Sequence, residues 1–253
     1  MQEISAPLAD FAGVVDAASF EKPVGGGALA SLFGSQLATA VTQAQSIPLP
    51  TTLSNTSVFV NDVAVPLIFV SPSQINFQMP FEASGTARVR VERQGQRGNT
   101  VTVPVGRRGP GLYGFPGTTY GIVINASRTD GLFFAWPDIP ALAGVSKAPA
   151  KPGDFLVLYG SGFGPTDPGV ATGAAAGSDP VSSVIETPTV NFGRGVFGPF
   201  ADPLFVGLTP GFVGLYQVNV QVPAGSPANP RTPLSLNWPD GTTSNIVEIA
   251  VAP

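Results

Sequence analysis

From Gln74 to Pro80 the chain alternates polar and apolar residues, Gln-Ile-Asn-Phe-Gln-Met-Pro. The alternation returns from Gln217 to Pro223 as Gln-Val-Asn-Val-Gln-Val-Pro. A period of two puts alternate side chains on opposite faces of an extended strand. The surroundings of this strand repeat in the same order. Residues 13–19 (GVVDAAS) match 121–127 (GIVINAS), and 32–35 (LFGS) match 158–161 (LYGS). Pro66-Leu67 matches Pro203-Leu204, and 99–105 match 245–251. Landmarks repeated in one order imply a duplicated β-domain.

The pattern predicts strands at 27–33, 56–60, 65–70, 74–79, 86–92 and 99–105 in the first copy. In the second they fall at 121–125, 154–159, 189–192, 204–208, 215–222, 233–237 and 245–251. Asn61-Asp62, residues 95–98 and Asp240-Gly241 supply hairpin turns between apolar runs. Helical signal is confined to one or two turns at 35–45, which Pro48 and Pro50 stop. The chain divides into an arm at 1–12, a first repeat at 13–112 and a second at 113–253. The second carries loop insertions near 129–146 and 165–182. Loops on a rigid β-scaffold commonly carry function, so the second repeat is the better place to look.

Composition narrows the chemistry. Glycine (31) and proline (27) punctuate the whole chain, as in β-proteins with many turns. Disorder is the competing reading of such content, and the regular Val/Ile/Phe alternation opposes it. Charged residues are only 11% against a usual share of about 25%. Either part of the surface is covered by a partner, another copy or an adjacent domain, or Ser, Thr, Asn and Gln supply its polarity. The net charge of −4 contains no basic run, which excludes nucleic acid as a partner. No apolar stretch approaches the roughly 18 residues that cross a bilayer, so membrane insertion is not expected. Histidine and cysteine are absent. That removes His/Cys metal sites, Ser-His-Asp and Cys-His catalysis, and imidazole acid–base chemistry. No cofactor and no metal site are expected. An enzyme would have to work with Asp, Glu, Lys or Tyr.

Three sets of residues are candidates for contact. Gln217, Asn219 and Gln221 share one strand face, mirrored by Gln74, Asn76 and Gln78. Such a face is either an ordinary outer sheet face or a polar surface for the other repeat, a glycan or a second copy. Phe133, Phe134 and Trp136 lie in the first insertion. They could stack on sugar rings or anchor a partner, or else fill a core seam. Ile4, Leu8 and Phe11 are the apolar residues of the arm, which could add as a strand to a neighbour's sheet edge. Asp130, Asp138, Asp154, Asp167 and Asp179 gather near the second-repeat loops without the D-x-D-x-D-G spacing of a calcium loop.

The segments VVDAASF (14–20), LASLFGSQLA (29–38), PLIFVSPSQINFQMP (66–80), AKPGDFLVLYGSGFGP (150–165), GLTPGFVGLYQVNVQVP (207–223) and SNIVEIAV (244–251) resemble a known family. It is the C-terminal domain of large secreted proteins of Solibacter-type Acidobacteria. The resemblance covers nearly the whole chain from Val14 and implies export to the cell surface or medium, with any signal peptide removed. It implies no activity. The run from Pro152 to Gly164 (PGDFLVLYGSGFG) also resembles the opening strand and Gly-Ser-Gly-Phe corner of immunoglobulin-like TIG domains. That implies an all-β fold of two tandem immunoglobulin-like antiparallel β-sandwiches, modules that bind, space and connect. The resulting expectation is a non-enzymatic structural or adhesive protein whose partners are its own copies or neighbouring surface domains. The alternative is a carbohydrate-binding module using Trp136, Phe134 or Trp238.

Overall fold

In the computed structural model of the chain, residues 5–138, 145–195 and 198–253 are described. No α-helix occurs among them, and the fold is an all-β sandwich. The expected helical turns at 35–45 are absent. There the chain leaves the Leu29–Ser35 strand and forms the short Thr42–Gln43 strand, which pairs with Val70 and Phe69. Val41 and the threonines around it suit an extended backbone better than a helix.

The chain forms two compact units. Unit 1 comprises Met1–Gly111, Ser161–Ser182 and Leu208–Leu215. Unit 2 comprises Leu112–Gly160, Ser183–Gly207 and Tyr216–Pro253. In unit 1, one five-stranded sheet runs in the order Leu8–Asp16, Leu29–Ser35, Gln74–Gln78, Leu67–Val70, Thr42–Gln43. The second runs Val24–Gly25, Gln96–Gly106, Gly85–Arg93, Thr56–Val60, Val63–Ala64. Alternate residues from both, among them Leu32, Ile75, Phe77, Val58, Val89 and Val103, close into one buried core. The Asn61-Asp62 turn forms as expected, with both residues at positive φ between the paired Val60 and Val63. The turn expected at 95–98 falls instead on Gln94-Gly95, because Arg93 pairs with Gln96.

In unit 2 the Phe155–Ser161 strand pairs with Val123–Asn125 on one side and Tyr216–Gln221 on the other. Phe205–Leu208 follows beyond Tyr216–Gln221. A second sheet runs Phe200–Ala201, Thr189–Phe192, Asn229–Asn237, Val247–Val251.

The duplicated strands keep their register. Leu32 pairs with Ile75 and Phe33 with Gln74, as Leu158 pairs with Val218 and Tyr159 with Gln217. One landmark shifts by a residue. Val14 and Asp16 face Leu32 and Ala30, whereas Val123 and Asn125 face Leu158 and Leu156. Val14 therefore corresponds to Val123 and Asp16 to Asn125, not Val14 to Ile122. A one-residue slip would send the apolar set to the wrong face. Both residues close the same turn. Asp16 Oδ1 accepts a hydrogen bond from the Ala18 N–H (2.9 Å), and Asn125 Oδ1 from the Ser127 N–H (3.2 Å).

A second device is also copied. In unit 1 the Asn99 side chain accepts from the Ala9 N–H (2.8 Å) and donates to the Ala9 carbonyl (2.9 Å). In unit 2 Asn245 accepts from the Leu112 N–H (2.7 Å) and donates to the Leu112 carbonyl (3.1 Å). An amide has one donor end and one acceptor end, so it satisfies both backbone groups of a single residue. In unit 1 this clamp ties one sheet to the other.

Candidate interaction surface

The aromatic insertion is core rather than surface. Trp136 is fully buried, and its Nε1 donates to the Gly121 carbonyl (2.6 Å). Phe134 stacks on it with centroids 4.3 Å apart, and Phe115 meets it edge-on at 5.0 Å. With Tyr120 and Val145 they form a small apolar cluster of unit 2. Trp136 has no face left for a sugar ring. Phe133 is half-buried beneath the Arg128 guanidinium, 4.4 Å from its centroid. Trp238 is also buried and donates to the Glu186 carbonyl (3.0 Å).

The amide faces are half-exposed and internally braced. Gln74 Nε2 donates to Asn76 Oδ1 (2.8 Å), and Ser31 Oγ donates to the same oxygen (3.1 Å). Gln217 Nε2 donates to Asn219 Oδ1 (3.3 Å). Each ladder has an aromatic cross-strand neighbour, Phe33 beside Gln74 and Tyr159 beside Gln217. The third rungs differ. Gln221 is exposed, donates to the Gly153 carbonyl (2.9 Å), and lines a cleft of about 440 Å³ with Phe200, Asp202 and Leu204. Gln78 is fully buried. Its Nε2 donates to the Gly27 carbonyl (3.2 Å), and its Oε1 accepts from the Gly173 N–H (2.6 Å). A β-carbon on Gly214, at φ +62°, would lie 3.1 Å from that Nε2 and 2.7 Å from Leu29. The segments carrying Gly173 and Gly214 thus belong to unit 1 through a side chain that reads as an outer-face residue in sequence.

The arm residues fall into regular structure. Leu8 and Phe11 lie in the Leu8–Asp16 strand, paired with Leu29–Ser35, so from Leu8 onward there is no free arm. The register breaks between Ala9 and Val14, and Phe11 stands 89% exposed on that bulge. Ile4 lies outside the described residues.

Unit 1 also holds an open groove that sequence reasoning did not single out. It encloses about 850 Å³ and is lined by Leu29, Ile47, Leu49, Ile68, Phe212 and Leu215, with Gln43 and Gln45 on the edge-strand side. Its segments are distant in sequence, and periodicity within any one of them gives no sign of their meeting.

The acidic residues are dispersed into local roles. Asp130 pairs with Arg128 (2.6 Å), Asp138 with Lys147 (3.1 Å), and Asp154 accepts from Asn125 (2.9 Å). Among the described residues no three Asp or Glu gather as a metal site would require. Burial pushes the Glu248 carboxyl up, but hydrogen bonds from Thr119 and Arg231 outweigh it and leave the pKa lowered. Asp16 shows the opposite balance. Desolvation exceeds its hydrogen bonds, and its pKa is raised.

No curated protein sequence matches the chain. Distant likeness to solved structures is found. One is a protein from a xyloglucan utilization locus of Bacteroides uniformis, 12% identical over 98% of this chain and 50% of its own, TM-score 0.28. Another is a surface glycan-binding protein of Prevotella bryantii, 11% identical over 93% of this chain and 41% of its own, TM-score 0.26. A third is domains 5–6 of an S-layer protein, 12% identical over 97% of this chain and 98% of its own, TM-score 0.26. The chain spans half or less of the first two, and likeness this distant does not bear on function. In sequence, residues 17–105 match the IPT/TIG domain, within the first repeat rather than over the 152–164 run.

Proposed function

We propose that the chain is an exported, non-enzymatic β-sandwich module, structural or adhesive, that associates through its surface with copies of itself or neighbouring domains. The observation that carries this reading is the duplicated uncharged outer face, an amide ladder beside an aromatic residue in each unit. Charge-free, braced faces suit contacts that need shape and hydrogen bonding without ionic partners. Residues such as Leu204 and Phe212, more than half exposed, add apolar surface for such contacts. The resemblance to acidobacterial secreted C-terminal domains supports the exported setting. Sedimentation velocity on the purified chain, from micromolar to millimolar concentration, is the test. Reversible association supports the proposal, and a single monomeric species throughout overturns it.

A neutral glycan is the second reading, favoured by the cleft where the Gln221 amide lies beside the half-exposed Phe200 ring. Binding on a glycan array that is lost in Gln221→Ala and Phe200→Ala would support it. A blank array on soluble protein would remove it.

A further inference from the structure

We infer that the groove of unit 1 is the seat of a self-contact, in which a second copy of this chain docks with its own groove about a twofold axis. This rests on the association reading above and names its surface.

Charge placement carries the inference. Every segment lining the groove comes from a stretch without Asp, Glu, Lys or Arg. These stretches are residues 23–61, 63–81 and 203–230. The other sheet of the same unit is different. There Arg88 pairs with Asp62 (2.8 Å), and Arg90 and Arg97 with Glu92 (3.1 and 3.6 Å). The segments lining the groove therefore carry no charged side chain, and the acidic residues of the same sheet, Asp10 and Asp16, lie in its opposite edge strand, Leu8–Asp16. Apolar side chains stand exposed at this charge-free lining. Ile47 and Phe212 on the groove's lining are each 55% exposed, and Val41, just before the Thr42–Gln43 edge strand, is 70% exposed.

The edges of the groove-bearing sheet are unequal. One edge strand, Leu8–Asp16, carries the bulge and the Asn99 clamp, devices that discourage a foreign strand. The other, Thr42–Gln43, has neither a charge nor a bulge, only its brevity. That brevity limits backbone pairing to a few bonds, so the side chains of the groove carry the contact.

A twofold contact sets the same patch against itself. A patch bearing net charge would repel its own copy, and this one has no charge to repel. It also offers both parts of a fit, the exposed Phe212 and Ile47 as knobs and the trough between them as the hole. A charged partner would find no counter-ion here.

The Phe212 turn is fixed by its backbone. Phe212 N–H donates to the Thr209 carbonyl (3.1 Å), and its carbonyl accepts from the Ala176 N–H (3.0 Å). Phe212→Asp therefore changes the surface without removing the turn.

The experiment is sedimentation equilibrium of the full chain and of Phe212→Asp, Ile47→Asp and Phe11→Ser. Thermal unfolding of each variant checks that the fold is kept. The expected result is a dimer weakened at least about tenfold by either groove substitution and unchanged by Phe11→Ser. A dimer unaffected by Phe212→Asp and Ile47→Asp overturns the groove while leaving association intact. A dimer lost only in Phe11→Ser moves the contact to the bulged strand and overturns it equally. A chain that is monomeric throughout overturns both the groove and the association reading.

Discussion

Asp16 and Asn125 occupy the same place in the two copies and answer the same need differently. Asp16 is fully buried, with Oδ1 accepting from the Ala18 and Ser19 N–H groups and from Ser19 Oγ. Asn125 keeps the turn with Oδ1 and hands its amide hydrogens to Asp154. A buried carboxylate without a cation binds its proton more readily in the folded state, consistent with its raised pKa. The sign follows from linkage. Between the ordinary carboxylate pKa and the raised one, the folded state holds more protons than the unfolded, so stability falls as pH rises. Asp16→Asn should stabilise unit 1 at pH 7 by about 1–3 kcal/mol, since it removes the charge and keeps the acceptor. The gain should vanish in acid, where wild-type Asp16 is protonated. Urea unfolding at pH 7 and pH 3 reads both. Trp136 makes the contrasting case. Trp136→Ala should cost about 3–5 kcal/mol of stability, as a core residue does. A loss of ligand binding at unchanged stability would contradict its place in the core.

The duplicated strands explain how much of the fold is legible in the sequence. The alternation at 74–80 and 217–223 shows strand, face and copy number directly, because period two is written into neighbouring residues. Asn99 and Asn245 stand out as landmarks, yet their clamps on Ala9 and Leu112 are invisible, since the partner is backbone far along the chain. Gln78 and Gln221 look alike in sequence, and what separates them is the non-local approach of Gly173 and Gly214. The aromatic insertion misleads for a related reason, because loop position does not reveal burial. Two predictions belong here. Asn99→Ala and Asn245→Ala should each destabilise by about 1–2 kcal/mol, with Asn245 the costlier because it is the less exposed. Gly214→Val should disturb unit 1 more than Gly225→Val, because a β-carbon at Gly214 meets Leu29 and one at Gly225 meets nothing within 4 Å. Thermal unfolding of the four variants gives the ranking.

For the chain as a whole, low charge acquires a location. The segments lining the groove of unit 1 carry no charged residue, while ion pairs gather on its other sheet. A contact built there should be insensitive to screening and favoured by salts that strengthen apolar burial. Dimerisation should hold or tighten from 50 mM to 500 mM sodium sulfate, as measured by light scattering. Weakening with salt would point to the arginine-bearing sheet instead.

Unit 1 also imposes an order of events. Its opening 111 residues are synthesised long before Ser161–Ser182 and Leu208–Leu215, which complete it. Until those segments emerge, Gln78 lacks the Gly173 N–H, and one wall of the groove does not exist. A ribosome releasing this chain from its N-terminus would therefore hold an unfinished sandwich until Leu215 has emerged. The groove is complete only once Leu208–Leu215 has joined the earlier segments of unit 1.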